Sequence, residues 1–232
     1  MGLKAVIFDL DGTLLDTLED IADSLNRVFA ARGLPPHPVD AYRYFVGSGA
    51  EELAWRALPE GERNEKTVRE LVEGFRSEYS SGWDVKTRPY PGVMEMLERL
   101  RRKKIPSAVL SNKPGEFTVP AVGKYFPGYP FAAVIGQREG VPIKPDPAGA
   151  IEIARILGLP AREIVFLGDT GVDMETARRA GNFPVGAGWG FRPEEELREH
   201  GAEIVIELPG ELPEFLEPDP TDRRGPAGNP GN

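Results

Sequence analysis

Apolar positions along the chain follow two different periods. Lys4 to Leu10 is a short aliphatic and β-branched run that stops at an acidic, glycine-containing stretch, which predicts a buried strand opening into a loop. From Asp16 the spacing turns helical: Leu18, Ile21, Ala22, Leu25, Val28 and Phe29 recur until Gly33 and Pro35 stop them, and the Asp16–Glu19 spacing predicts a capping box at the start. No strand-like alternation follows before about Trp83. Instead, helical stretches over Val39–Phe45, Glu51–Leu58 and Glu65–Tyr79 are separated by Gly47, Gly49, Pro59 and Gly61, which predicts a helical insertion. Beyond Pro91 helix and strand alternate. Val93, Met96, Leu97 and Leu100 mark a helix, and Ser107–Leu110 marks the next strand. Further strands are expected at Ala132–Ile135, Ile164–Leu167, Pro184–Val185 and Ile204–Ile206, with helices at Ala148–Leu157 and Met174–Ala180. This alternation predicts an α/β fold with a doubly wound parallel sheet, whose ligands sit beyond the carboxyl ends of the strands. The segment after Leu216, rich in Pro, Gly, Asp and Arg, has too few apolar groups to pack and is expected to be flexible over 217–232.

Composition narrows the chemistry. No apolar run approaches the roughly 20 residues that span a bilayer, so the chain reads as a cytoplasmic globular protein with no membrane partner. An excess of 37 acidic over 28 basic residues leaves a net charge of −9, which disfavours nucleic acid and points to a small-molecule substrate. With no cysteine there is no disulfide framework, zinc–thiolate site or cysteine nucleophile. Only His37 and His200 are present, both in polar surroundings, so a histidine triad or multi-histidine metal site is hard to build. The basic run Arg99–Lys104 closes a helix, where cations complement the dipole.

Four polar clusters stand at expected strand ends. In Asp9-Leu10-Asp11-Gly12-Thr13, two carboxylates of one strand project similarly and repel unless a cation or proton intervenes; all-oxygen ligands suit magnesium, and loop capping is the alternative. Ser111-Asn112-Lys113-Pro114 offers donors ahead of a proline that can open a helix, an oxyanion seat or an ordinary turn. In Lys144-Pro145-Asp146-Pro147 two prolines fix the backbone around a lysine and an acid, and the stiffly held Lys144 could neutralise a transferring phosphoryl group or lie on the surface. In Gly168-Asp169-Thr170-Gly171-Val172-Asp173, Asp169 could bind an ion and Asp173 a coordinated water, or either could cap a helix. Four such clusters at one sheet edge favour chemistry over capping.

Asp9 to Thr13, Ser111, Lys144, and Asp169 with Asp173 resemble, in order, the four motifs of the haloacid dehalogenase superfamily. The resemblance implies a Rossmann-like core over 1–15 and 85–216 with a small all-helical cap over 16–84, inserted after the first strand. It implies that Asp9 attacks a phosphoryl group and that Asp11 protonates the leaving group and then deprotonates water. Lys144 completes the catalytic set; Thr13, Ser111 and Asn112 bind substrate; Asp9, Asp11 and Asp169 hold Mg2+, with Asp173 behind them. Asp11 argues against dehalogenases, which lack an acid there, and the DGTL sequence leans away from sugar phosphomutases. Val46 to Leu53, containing Gly47, Ser48 and Gly49, looks like the specificity loop of phosphoglycolate phosphatases. Pyrophosphatases and broad sugar-phosphate or nucleotide phosphatases share much of the pattern, and a phosphomutase or a silent binding protein are the more distant alternatives. Arg43 and Arg56 flank the loop as candidates for a substrate carboxylate. The resemblance is compatible with a monomer or homodimer.

Overall fold

The central strand of the sheet is the first in the chain, and all else is arranged around it. In a computed structural model, which describes residues 2–216, the strands β1 (Ala5–Phe8), β4 (Ser107–Pro114), β5 (Ala133–Gln137), β6 (Ile164–Gly168), β7 (Phe183–Ala187) and β8 (Ile204–Ile206) form one six-stranded sheet of order β5-β4-β1-β6-β7-β8. Every pairing in it is parallel. The chain builds outward on one side of β1 and then on the other, so connections diverge there and leave a crevice beyond the ends of β1, β4 and β6. The tail expected over 217–232 lies outside the described residues.

Alternation along the strands fills two apolar layers. Val6, Phe8, Val109, Val165 and Leu167 face one layer, closed by α5 (Val93–Arg102) and α6 (Gly115–Tyr125). Ala5, Ile7, Ala108, Leu110, Ile164 and Phe166 face the other, closed by α7 (Ala148–Leu157) and α8 (Gly171–Ala180). Burial on both faces explains why these strands read as continuous apolar runs.

A third apolar cluster belongs to the insertion, built by α1 (Leu18–Ala31), α2 (Tyr42–Phe45), α3 (Gly49–Ala57) and α4 (Glu65–Gly82). It is all helical, and α1 lies close against α4: a Cβ on Gly74 would meet Val28 at 2.9 Å. Phe117 and Phe191, from the sheet-containing part, join this cluster and seat the cap on the crevice. The chain enters and leaves the cap through a two-stranded antiparallel ribbon, β2 (Leu15–Asp16) with β3 (Arg88–Pro89). Behind it the buried Asp20 carboxylate accepts the Lys86 amide at 3.0 Å and the Thr87 amide at 2.8 Å.

The capping box expected from Asp16 and Glu19 does not form. Asp16 is drawn into the ribbon opposite Arg88, and α1 starts after Thr17, whose side chain makes no capping bond. Two helices were not evident in the apolar spacing: α6, with Pro120 inside it, and the short α9 (Glu194–Glu199), with Leu197 its only buried residue. The basic run at the end of α5 is consumed locally, Arg99 on Glu214 and the Gly210 carbonyl, Arg101 on Glu98, and Lys103 on the Pro213 carbonyl.

Candidate active site

Four strand-end segments converge where β1, β4 and β6 stop. The Asp9 amide still donates to Leu167 at 2.9 Å, which extends the ladder one residue past β1 and fixes the Asp9 backbone. Its Oδ1 lies 2.7 Å from Lys144 Nζ, and the same ammonium lies 2.6 Å from Asp173 Oδ1. Lys144 is only 3% exposed, so a surface lysine in a rigid turn is excluded. The other Asp9 oxygen has no hydrogen-bond partner among the described residues.

Asp169 is fully buried, with Oδ1 accepting from Thr13 Oγ1 at 2.8 Å and Oδ2 from the Phe191 amide at 2.8 Å. Two glycines make room for it. A Cβ on Gly12, whose φ is +92°, would stand 2.2 Å from Asp169 Oδ2, and one on Gly190 would stand 2.1 Å from its Cβ. Asp173 does serve as a cap: Thr170 and Asp173 form the capping box of α8, with the Thr170 hydroxyl donating to Asp173 Oδ2 at 2.6 Å. Its other oxygen is the one on Lys144, so a single buried carboxylate starts the helix and anchors the lysine.

Charge is the main feature of the site. Burial first, then the neighbouring Asp173 and Asp169, push the Asp9 carboxyl well above the usual range despite Lys144. Burial and Asp173 raise Asp169 to about 7. Burial works against the Lys144 charge, but Asp173 and Asp9 outweigh it and hold the ammonium protonated. Four carboxylates (Asp9, Asp11, Asp169, Asp173) face two buried ammoniums (Lys113, Lys144), which leaves two negative charges when all are ionised. Oxygens of Asp9, Asp169 and Asp173 lie within 4.8 Å of one another, a hard, all-oxygen set that fits a divalent cation.

A cavity of about 60 Å³ lies between this floor and the cap. Asp9, Asp11, Ser111, Asn112 and Lys113 provide its polar side, whereas Ile21, Val46, Leu53, Phe75 and Phe117 make the rest apolar. Gly47 and Gly49 line it, and Arg76 stands at its edge, half exposed and 3.9 Å from Glu116. No helix among the described residues is long and apolar enough to cross a membrane.

The sequence profile of the haloacid dehalogenase-like hydrolases matches residues 3–181, which takes in all four clusters. The chain belongs to this family. Among curated relatives, the phosphoglycolate phosphatase of Pseudomonas putida is 32% identical over 89% of this chain and 74% of its own length. That of Psychrobacter arcticus is 31% identical over 86% of this chain and 89% of its own. A crystal structure from Lactobacillus delbrueckii subsp. bulgaricus superposes with a TM-score of 0.88 at 32% identity, covering 94% of this chain and all of the other.

In this haloacid dehalogenase-like hydrolase the expected site residues do not all lie where the motifs suggested. Asp9, Asp169 and Lys144 converge, but the Asp11 carboxylate stands apart from the acidic cluster, held by Lys113 Nζ at 3.0 and 3.2 Å. Thr13 is fully buried under Asp169 instead of facing the cavity. Ser111 lines the cavity and accepts from the Lys113 amide, with no acceptor for its own hydroxyl proton among the described residues. The Asn112 amide is committed to Lys144 and Gly47, which leaves no donor hydrogen for a ligand. Gly47 and Gly49 face the cavity, while Ser48 accepts from Arg56 outside it. Neither arginine expected to meet a carboxylate lines the cavity: Arg43 donates to the Gly190 carbonyl and Arg56 is paired with Glu52. Lys113, Tyr79 and Arg76 are the lining residues that motif reading passed over. Both histidines lie away from the site, His37 on the Ala57 carbonyl and His200 on Glu175.

Proposed function

We propose that this hydrolase is a magnesium-dependent phosphomonoesterase of the cytoplasm that converts 2-phosphoglycolate to glycolate and phosphate through an aspartyl-phosphate on Asp9. The observation that carries the reading is Asp9 itself: one oxygen held by Lys144, the other unbonded, on the floor of a small cavity under the cap. Its free oxygen forms a bond to phosphorus as the ester P–O bond breaks, and Asp11, across the cavity floor, gives the departing alkoxide a proton. Water then attacks the acyl phosphate while Asp11 takes back a proton; phosphate leaves and Asp9 is restored. Ser111 has a free hydroxyl to donate to a phosphoryl oxygen, and Lys144 offsets the charge gathered at the transferring group. Asp9 and Asp169 are the residues that would hold Mg2+, with Asp173 beside them on Lys144, and the ion would supply positive charge that offsets the repulsion between the nucleophile and the phosphate.

The cavity size supports a small leaving group. About 60 Å³ accommodates on the order of four to six water-sized groups, fewer than a sugar or nucleoside needs. Pyrophosphate is as small and remains the competing substrate. Arg76 at the edge and the apolar walls favour a short carbon skeleton ending in a carboxylate. Phosphate release should be measured with magnesium from 2-phosphoglycolate, pyrophosphate, sugar phosphates and nucleoside monophosphates, alongside Asp9→Asn. A clear preference of kcat/KM for 2-phosphoglycolate, lost in Asp9→Asn with the fold intact, is expected. A flat profile removes the substrate assignment, and a fully active Asp9→Asn removes the nucleophile.

A further inference from the structure

Two adjacent side chains at the end of β4 each connect the cap to the catalytic floor. Consecutive residues of an extended strand project to opposite sides, so Asn112 and Lys113 reach different targets from one backbone position. Asn112 Oδ1 accepts the Lys144 amide at 2.8 Å, and its Nδ2 donates to the Lys144 carbonyl at 3.0 Å; the remaining amide hydrogen goes to the carbonyl of Gly47, in the cap, at 3.0 Å. Lys113 Nζ holds the Asp11 carboxylate at 3.0 and 3.2 Å, donates to Tyr79 Oη of the cap at 2.7 Å, and lies 4.6 Å from the centre of that ring. All hydrogens on both side-chain nitrogens are used, in groups that water barely reaches.

We propose that Asn112 and Lys113 are positioning residues that make the catalytic groups depend on the seating of the cap: each bonds one cap atom and one catalytic residue, Lys144 or Asp11. The proposal rests on the roles given above to those two residues. When the cap lifts, Asn112 loses the acceptor at Gly47 and Lys113 loses both the phenol oxygen and the aromatic face above it. Lys144 and Asp11 are then held from the core side only. When the cap closes over a ligand that fits, both connections form and the two groups are fixed together. Burial pushes the Tyr79 phenol to about 12, so it remains an uncharged partner for the ammonium at neutral pH.

Tyr79→Phe isolates the effect, because it keeps the ring and its packing and removes only the oxygen that Lys113 reaches. Two substrates of similar size should be compared in the full-length protein with magnesium: 2-phosphoglycolate, whose alkoxide needs a proton from Asp11, and acetyl phosphate, whose acetate leaves without one. The expected result, read as leaving-group release in a single turnover because Asp11 acts on the later hydrolysis of both substrates, is a fall of about tenfold or more in the rate of glycolate release and a change within about twofold in acetate release, with the melting transition retained. Asn112→Asp, which keeps the shape but loses both donors, should lower kcat about tenfold on both substrates while moving KM far less, because Lys144 serves both. Equal losses on the two substrates in Tyr79→Phe, or no loss in either variant, overturn the proposal. Parent protein that releases phosphate from neither substrate refutes instead the function on which it rests.

Discussion

Removing the charge of Lys144 while keeping its length, as in Lys144→Met, tests the electrostatic account of the site most directly. The ammonium lies 2.7 Å from Asp9 and 2.6 Å from Asp173 and is almost wholly buried, so its loss leaves two carboxylates without their cation. Breaking a buried ion pair from one side costs about 3–5 kcal/mol when the remaining charge must stay. The Asp9 carboxyl can take up a proton instead. A carboxyl group whose folded-state pKa lies above its unfolded value of about 4 stabilises the fold at lower pH, and that contribution is lost as the pH rises through the folded value. Asp9 is already raised, and Asp169 stands at about 7 even with the lysine present. The variant should therefore lose the full about 3–5 kcal/mol at pH 8 and only a fraction of it at pH 5. Urea denaturation in excess chelator at the two pH values measures the difference without a metal replacing the lost charge. An equal deficit at both, or none at pH 8, would refute the reasoning.

Magnesium added to chelator-treated protein should raise Tm more at pH 8 than at pH 5, because at the lower pH it must displace the proton that Asp169 holds. At a hundredfold excess over Kd the gain is about 2.7 kcal/mol, and calorimetry showing an equal or smaller shift at pH 8 contradicts it. Gly12→Ala forces a Cβ to 2.2 Å from the Asp169 carboxylate at a φ of +92°, so stability should fall by about 1–3 kcal/mol and turnover by about a hundredfold. Both are read from denaturation and phosphate release. Asp20→Ala strips the Lys86 and Thr87 amides of their acceptor where the chain returns from the cap, and denaturation should record a loss of about 3 kcal/mol.

The inner strands were readable because they are buried on both faces and stand out as apolar runs, and β1, β4 and β6 each lead into a polar cluster. The same logic pointed to Asp9, Ser111 and Asp169, which stand where β1, β4 and β6 run out, whereas Lys144 arrives from the loop beyond β5. Local rules failed where tertiary partners decide. Asp16 and Glu19 have capping-box spacing, but the ribbon pairing with Arg88 takes Asp16 away. Helix α6 carries Pro120, which composition alone reads as a break, and the two-residue strands of the ribbon are too short to show alternation. Asn112 looks like a substrate ligand when read within its own cluster; its partners lie at Gly47 and Lys144, far off in the chain. Lys113 is similar, since nothing near it in sequence announces an aspartate 102 residues away and a tyrosine 34 residues away. Tyr79 falls on the apolar stripe of its helix and reads as ordinary core, although its hydroxyl faces the floor of the cavity.

The place of β1 at the middle of the sheet also bears on how the molecule comes into being. Its four residues are synthesised well before their neighbours, which are Ser107–Val109 on one side and Ile164–Leu167 on the other, with Ala5 meeting Ile164 across 159 positions. At about 5–20 residues per second, a ribosome needs roughly 8–32 s between making Ala5 and making its partner. Until Ser107–Val109 are made this uncharged strand has neither edge covered, and until Ile164–Leu167 are made one edge stays open, while the helices of the insertion have time to pack among themselves. Nascent chains stalled before residue 164 should therefore bind chaperones through Ala5–Phe8 and carry a folded cap beside a sheet that cannot yet close.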